Sequence, residues 1–167
     1  DLTFTTGNWN TPQTVTVTAF NDATPESQES VTLALTTHDA ATAAEYDSVD
    51  PADVVVIIPA NDSVGVTVSK TTMSVVEGAT STFTVVLDNV PSGSVAVRVT
   101  GNADVTLTGD GAQVGSDVFV RDLTFTTGNW NTPQTVTVTA FNDATPESQE
   151  SVTLALTTHD AATAAEY

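Results

Sequence analysis

A long perfect repeat constrains this chain more than any other feature of its sequence. Residues 1–46 recur without a single change as residues 122–167, at an offset of 121 residues. Chance does not produce such a run of matches, and solenoid repeats have much shorter periods of roughly 20–50 residues. A unit of this length can bury a core of its own. The repeat therefore predicts independent domains in tandem, one per 121-residue period.

The position of the repeat also predicts how the chain divides. We expect residues 1–63 to form the C-terminal part of one repeat. Residues 64–167 are expected to form the next repeat without its last strand. This division fits a window from a longer array, or a deliberately overlapping piece of one.

Short alternating apolar segments predict an all-β chain. In Thr80–Leu87, for example, alternate apolar residues share one face of a strand. Other predicted strands lie at Val66–Val68 with its continuation Met73–Val76, at Val95–Val99, at Val105–Thr108, and around Leu123, Val136 and Val152, with first copies around Leu2, Val15 and Val31. About seven short strands, with turns every 8–12 residues or so, predict an immunoglobulin-like antiparallel β-sandwich.

Two segments between the repeats need separate interpretation. Val54 to Ile58 is apolar on both faces, which predicts a central last strand. The stretch from His38 to Asp53 has no strand pattern, and its Ala-rich part, residues 40–44, fits either a loop or one turn of helix.

The charge balance excludes several classes of partner. The chain has 21 acidic residues against three basic ones, for a net charge of −18 at pH 7. Such a surface repels nucleic acid and anionic membranes, and no apolar run is long enough to insert into a bilayer. Cysteine is absent, which excludes disulfides, zinc–thiolate sites and thiol nucleophiles.

The acidic residues gather at predicted turns and strand ends. The candidates are Glu77, Asp117, Asp143, Glu147 and Glu150 in the second repeat, and Asp22, Glu26, Glu29 and Asp62 in the first. Calcium takes about six to eight oxygen ligands, often from several loops, and such a set suits it. The alternative is that acidic loop residues only keep the surface soluble.

The same segments resemble the Calx-beta family, a module of sodium–calcium exchangers and of large bacterial surface proteins. The matching pieces are SVVEGATSTFTVVL (74–87), GSDVF (115–119), LTFTTGNWNTPQTVTVTAFNDATPESQESVTLAL (123–156) and VVVIIPANDS (54–63). They cover nearly the whole repeat in the order of the family. The resemblance implies calcium ligands at Glu77, Asp117, Asp143, Glu147, Glu150 and Asp62.

The chain departs from the family pattern in two places. The acidic pair of the family is Asn142-Asp143 here, and the acidic run after the last strand is only Asn61-Asp62-Ser63. Fewer charges imply fewer ions or weaker binding.

Other functional constellations are weak. His38 and His159 are one residue of the repeat seen twice, and without a second His or Cys beside it a zinc site is not expected. Trp9 and Trp130 lie in a predicted turn, where each is expected to cover an edge of the core rather than to form a carbohydrate platform. No nucleophile motif accompanies the histidine, so no enzyme is expected.

These features together predict a structural spacer. The repeats would project a distal domain of a long extracellular protein, secreted or held at the cell surface, as the stalk of an adhesin. Calcium would stiffen each junction between neighbouring repeats. Two alternatives stay open: a fibre or surface-layer subunit that assembles with identical chains through lateral or strand-exchange contacts, and a carbohydrate-binding repeat.

Overall fold

A computed structural model describes residues 1–37, 43–144, 151–159, 165 and 167 of the chain. Within those residues the structure is β, with ten strands and one short 3-10 helix at Ala44–Tyr46. Every strand pairing is antiparallel. In this part of the chain, no helix has the length and apolar character that crossing a membrane requires. The prediction of an all-β, antiparallel chain is confirmed.

The strands form three sheets. A two-stranded sheet pairs β1 (Glu29–Leu33) with β2 (Val54–Ile58). The remaining strands are β3 (Val66–Val68), β4 (Thr80–Leu87), β5 (Val95–Thr100), β6 (Val105–Gly109), β7 (Ala112–Val114), β8 (Asp117–Phe125), β9 (Gln134–Ala140) and β10 (Ala155–Thr158). They form two four-stranded sheets with the orders β3-β4-β9-β6 and β10-β5-β8-β7.

The two four-stranded sheets enclose one hydrophobic core, as in a β-sandwich. One sheet contributes Phe83, Val85, Leu87, Val105, Leu107, Val136 and Val138, and the other contributes Val95, Val97, Val99, Leu123 and Phe125. These residues alternate along their strands with more exposed neighbours, because successive side chains of a strand point to opposite faces. All of this core lies between residues 83 and 138.

The described residues of the N-terminal part, 1–37 and 43–63, contribute no side chain to this core. Residues 1–28 form no strand, although strands were predicted around Leu2 and Val15. Phe4 is 52% exposed, whereas Phe125, its counterpart in the second copy, is fully buried. The physical reason is that β4, β5 and β6, which cover the second copy, are already engaged there. Among the described residues before Val64, the only strands are β1 and β2, which pair with each other.

Three other segments differ from the sequence-based expectations. Met73–Val76 does not continue β3 as a strand, and β7 forms where no strand was predicted. The bounds of β2 agree with the prediction, but β2 pairs only with β1 and its side chains are mostly exposed, so its predicted central position is not seen among the described residues. Of the Ala-rich segment, residues 40–42 lie outside the described part of the chain, and the 3-10 helix begins at Ala44.

Candidate metal centre

The turn that carries Glu77 rests on the end of β9. The Gly78 amide donates a hydrogen bond to the Ala140 carbonyl at 3.1 Å, and the Ala140 amide donates to the Ala79 carbonyl at 3.2 Å. Gly78 has a φ of 72°, a conformation that favours glycine in this turn. Asp143 follows β9 by three residues. The backbone therefore brings Glu77 and Asp143 to the same end of the sandwich.

Glu77 and Asp143 line one cleft of about 530 Å³ together with Asp104. Core residues Val105 and Val138 also line this cleft. Asp104 was not among the predicted ligands. Its carbonyl accepts a hydrogen bond from the Phe141 amide at 2.7 Å, which fixes its loop beside the end of β9. Three carboxylates thus share one opening at the end of the sandwich.

The other predicted ligands of the second repeat do not join this group in the described structure. Asp117 is the exposed first residue of β8 and does not line the cleft. Glu147 and Glu150 lie outside the described residues.

In the first repeat, the four predicted carboxylates lie near enough to one another to interact electrostatically. The pKa of Glu26 is raised above its ordinary value of 4.5, first by desolvation and then by repulsion from Asp22, Asp62 and Glu29. These residues come from the loop before β1, from β1 itself and from the segment after β2. Repulsion between carboxylates of this kind is what a bound cation relieves.

Asp62 shows the clearest sign of an unfilled polar requirement. Its Oδ2 atom is buried and has no hydrogen-bond partner in the described structure. Its neighbours are held in place: the Asn61 side-chain amide donates to Oδ1 of Asn21, and the Thr24 amide donates to Oδ1 of Asp22 at 2.7 Å. A buried carboxylate oxygen without a donor is destabilising, and burial beside other carboxylates increases that penalty.

The acidic residues around Glu26 lie at the junction with the sandwich, and hydrogen bonds connect the two. The buried Asn89 side chain donates to the Ser63 carbonyl. The Asp88 amide donates to the Gly65 carbonyl at 3.0 Å. On the other side, the Val90 amide donates to the Ala23 carbonyl at 3.0 Å. The turn after β4 therefore contacts both the link between β2 and β3 (residues 59–65) and the loop before β1 that carries Asp22 and Glu26.

Comparison with protein-family models, with curated proteins and with solved structures finds no match for the chain. The ligand preference of the site therefore follows from its own side chains alone.

The donor atoms fit a hard cation better than a soft one. The cleft beside Glu77 and the acidic residues around Glu26 both offer carboxylate oxygens. Calcium prefers such ligands, and zinc accepts them less readily. Among the described residues, however, no three His, Asp or Glu side chains are already arranged around one point as metal ligands. Ion binding around Glu26 would require these side chains to draw closer together.

The tryptophan of the second copy has a structural position. Trp130 packs against the hydrophobic core, and its carbonyl accepts a hydrogen bond from the Leu87 amide at 3.2 Å. Trp9, its counterpart, is 71% exposed beside a segment that lacks a core. Trp130 thus covers an edge of the core as expected, whereas the same expectation is wrong for Trp9.

Proposed function

We propose that this chain is part of a structural extender, built from tandem immunoglobulin-like repeats of Calx-beta type in a long extracellular protein. The observation that carries the proposal is the unchanged recurrence of residues 1–46 as residues 122–167. Perfect repetition favours a role in spanning distance over a catalytic role, because an array of identical domains lengthens the protein and presents the same surface many times. The acidic surface keeps such an array soluble.

The geometry of the junction supports this proposal. Residues 59–65 are the whole link between β2 and β3. Pro59 restricts the direction of the chain as it leaves β2, while Gly65 by itself would permit bending. The hydrogen bonds of Asp88 and Asn89 to the link hold it against the sandwich. A short link with contacts on both sides limits the angle between successive repeats.

Calcium would act on the freedom that remains. Asp62 lies on the link, whereas Asp22 and Glu26 lie on the loop of the repeat that the link leaves. An ion bound by both would join the link to the loop and would give the buried Oδ2 atom of Asp62 the partner that it lacks. Extracellular calcium sites bind at roughly 0.1–1 mM. At a calcium concentration of about 100 times the dissociation constant, each site adds roughly 2.7 kcal/mol.

Small-angle scattering of a protein with three complete repeats tests the proposal. We expect a maximum dimension that grows in proportion to the number of repeats, and that is larger in calcium than in chelator. Asp62→Ala in calcium should behave as the parent protein does in chelator. Asp50→Ala is the matched control, because Asp50 is an exposed acidic residue that does not perturb Glu26.

The outcomes separate the two parts of the proposal. A three-repeat protein that is compact in every condition contradicts the extender function. A protein that is extended to the same length with calcium, with chelator and in Asp62→Ala retains the extender function but contradicts control of the junction by calcium.

A further inference from the structure

The end of the link before β3 extends the pairing of β3 with β4. The Asp88 amide, one residue after β4, donates a hydrogen bond at 3.0 Å to the carbonyl of Gly65, one residue before β3. The side-chain amide of Asn89 then donates to the Ser63 carbonyl. Residues 63–65 are therefore held along the turn after β4.

Asn89 has an unusual place for a polar residue. Among the described residues it is the only polar residue that is buried. Its backbone carbonyl accepts a hydrogen bond from the Tyr167 hydroxyl at 2.9 Å, and the nearby Pro91 is fully buried, so the turn is fixed on the side of the sandwich. Burial of an amide costs free energy unless it is hydrogen-bonded, and the bond to Ser63 reduces that cost. The sandwich thus buries a side chain whose donor serves the link.

The glycine of the link is closely packed. A Cβ atom at Gly65 would collide with Oδ2 of Asp88. The other oxygen of that carboxylate accepts a hydrogen bond from the Thr67 hydroxyl at 2.6 Å, so Asp88 would lose this bond if it turned away. Gly65 is not among the glycines with a positive φ, so its backbone conformation does not itself require glycine. Its small size instead permits the close approach of Asp88.

The same turn also contacts the loop of the preceding repeat. The Val90 amide donates to the Ala23 carbonyl at 3.0 Å. The loop is shaped locally, because the Asp22 carboxylate accepts a hydrogen bond from the Thr24 amide at 2.7 Å. The contact between Val90 and Ala23 joins two backbone groups, and it needs no ion. Three successive residues of one turn therefore bind both segments of the preceding repeat that lie at the junction.

We propose that residues 88–91 are a docking surface for the preceding repeat and set the mean angle between neighbouring repeats without calcium. The partner of this surface is the link together with the loop at Ala23, and Asn89 is the residue that holds the link. The inference rests on the proposed role of the chain as an extender. It gives calcium a narrower part, since an ion would only reduce motion about an angle that the turn has already set.

Hydrogen exchange of this chain in chelator tests the contacts. The amides of Asp88 and Val90 should be protected. Asn89→Asp keeps the size of the side chain but removes the donor to Ser63, and it should accelerate both amides by roughly three- to tenfold, as expected for the loss of one hydrogen bond. Asn102→Asp is the matched control, because Asn102 is exposed and its side chain bonds within its own turn. Unchanged exchange in the pairing of β4 with β9 would show that the sandwich stays folded.

Double electron–electron resonance on a protein with three complete repeats tests the angle. The sequence has no cysteine, so Ser116→Cys in two neighbouring repeats places one spin label in the exposed turn between β7 and β8 of each. In chelator we expect one narrow distribution of distances between the labels. The distribution should be broader in Asn89→Asp and unchanged in Asn102→Asp.

Gly65→Ala gives opposite results for the two roles that the glycine could have. If Gly65 were a hinge, alanine would stiffen it and the distribution would narrow. If Gly65 permits the approach of Asp88, alanine displaces that side chain and the distribution broadens. We expect broadening, and we expect no further broadening when Gly65→Ala is added to Asp88→Ala, because the space is then available. This second variant tests the inference even if Asn89→Asp destabilises the sandwich.

Several outcomes would overturn the inference. A Val90 amide that exchanges in chelator as fast as an exposed amide excludes the docking contact. A distribution that is narrow in calcium and broad in chelator assigns the angle to calcium alone. A distribution that narrows in Gly65→Ala shows a hinge. In contrast, a narrow distribution in chelator at a distance too short for extended repeats retains the docking surface and contradicts only the extender function.

Discussion

Residues 2–17 and 123–138 have the same side chains in the same order, yet they differ in structure. Leu123, Val136 and their neighbours lie in β8 and β9, within the core of the sandwich. Leu2 is 48% exposed and Val15 is 63% exposed, and neither belongs to a strand. The comparison distinguishes structure that a segment forms by itself from structure that it forms only when other strands pair with it.

The turn at residues 5–11 has the same side-chain hydrogen bonds as its copy at residues 126–132, although only the second copy lies between two strands. The Asn8 side-chain oxygen accepts a hydrogen bond from the Thr5 amide, and the Asn129 oxygen accepts one from the Thr126 amide, each at 2.5 Å. Gln134 donates to the Thr124 carbonyl at 2.7 Å, as Gln13 does to the Thr3 carbonyl at 2.8 Å. The turn depends on contacts within about ten residues of sequence, as Asx-type turns do. The strands on either side depend on residues elsewhere in the chain.

Substituting the same phenylalanine in the two copies should give the largest difference. Phe125→Ala removes a fully buried ring from the core and should lower the free energy of unfolding by about 3–5 kcal/mol. Phe4→Ala removes a half-exposed ring and should change it by no more than about 0.5 kcal/mol. Urea denaturation followed by far-ultraviolet circular dichroism measures both.

The two variants have identical composition, so effects on the unfolded chain largely cancel in the comparison. Equal losses of stability would mean that Phe4 is buried in solution as Phe125 is. That result would contradict the difference in structure between the two copies.

The strand bounds that the sequence predicts correctly are those with their own alternation or a sharp apolar boundary. β4 spans Thr80–Leu87 and β2 spans Val54–Ile58, as predicted. Alternation is a property of the segment itself, and it appears wherever one face of a strand is to be buried. Alternation does not tell which of two identical segments has a partner. Val15 and Val136 follow the same pattern, so no property of either copy could have separated them.

The candidate metal site likewise contains residues that the sequence predicts and one that it does not. The Glu-Gly turn and the acidic loop after β9 are recognisable in the sequence. The structure places Glu77 and Asp143 from these two segments beside one cleft. Asp104 is a single acidic residue in a turn before β6, and such a residue is common at the surface. Its position beside Asp143 depends on the hydrogen bond between the Phe141 amide and the Asp104 carbonyl. That contact joins distant parts of the chain and leaves no local signature.

Removing the asparagine of the turn should give a smaller and different effect. Asn129→Ala deletes the acceptor for the Thr126 amide and hydroxyl, and should destabilise the sandwich by about 1–2 kcal/mol. Asn8→Ala deletes the same contacts outside the sandwich and should leave global stability unchanged. Hydrogen exchange at the amides of Thr5 and Thr126 should nevertheless accelerate in the respective variants. Unchanged exchange at Thr5 in Asn8→Ala would mean that the first turn does not persist in solution.

Substituting Asp122 or Asp1, the first residues of the two copies, should give a smaller difference in the free energy of unfolding. Asp122 accepts two hydrogen bonds from Arg98, each at 2.8 Å, and the side chains are 25% and 28% exposed. This partly exposed pair should contribute about 1 kcal/mol, which Asp122→Asn would lose. Asp1→Asn is the matched control and should have no effect, because Arg98 is already paired with Asp122.

The same pair predicts a pH dependence. The hydrogen bond from Arg98 lowers the pKa of Asp122 below its ordinary value of 3.8. A lowered pKa means that the stability from this pair is complete above pH 3.8 or so and is lost as the pH falls through the folded value. Acid unfolding curves of the parent and of Asp122→Asn should therefore converge below that range. Curves that stay parallel would show that Asp122 is not paired in solution.

The smallest effect concerns the acidic loop of the first copy, where solvent screens the interactions. Desolvation and three neighbouring carboxylates raise the pKa of Glu26 above 4.5, so folding is opposed as the pH rises from 4.5 to the folded value, and the penalty is complete above it. A carbon-13 titration of the Glu26 carboxyl in chelator should show the raised pKa. Asp62→Asn should lower that pKa only part of the way, because desolvation is its largest cause, and Asp50→Asn should not move it. Added calcium should also lower it in the parent chain if the ion binds at this loop. A Glu26 pKa that is insensitive to Asp62→Asn would show that the link after β2 does not reach the loop, and the junction would then differ from the one described.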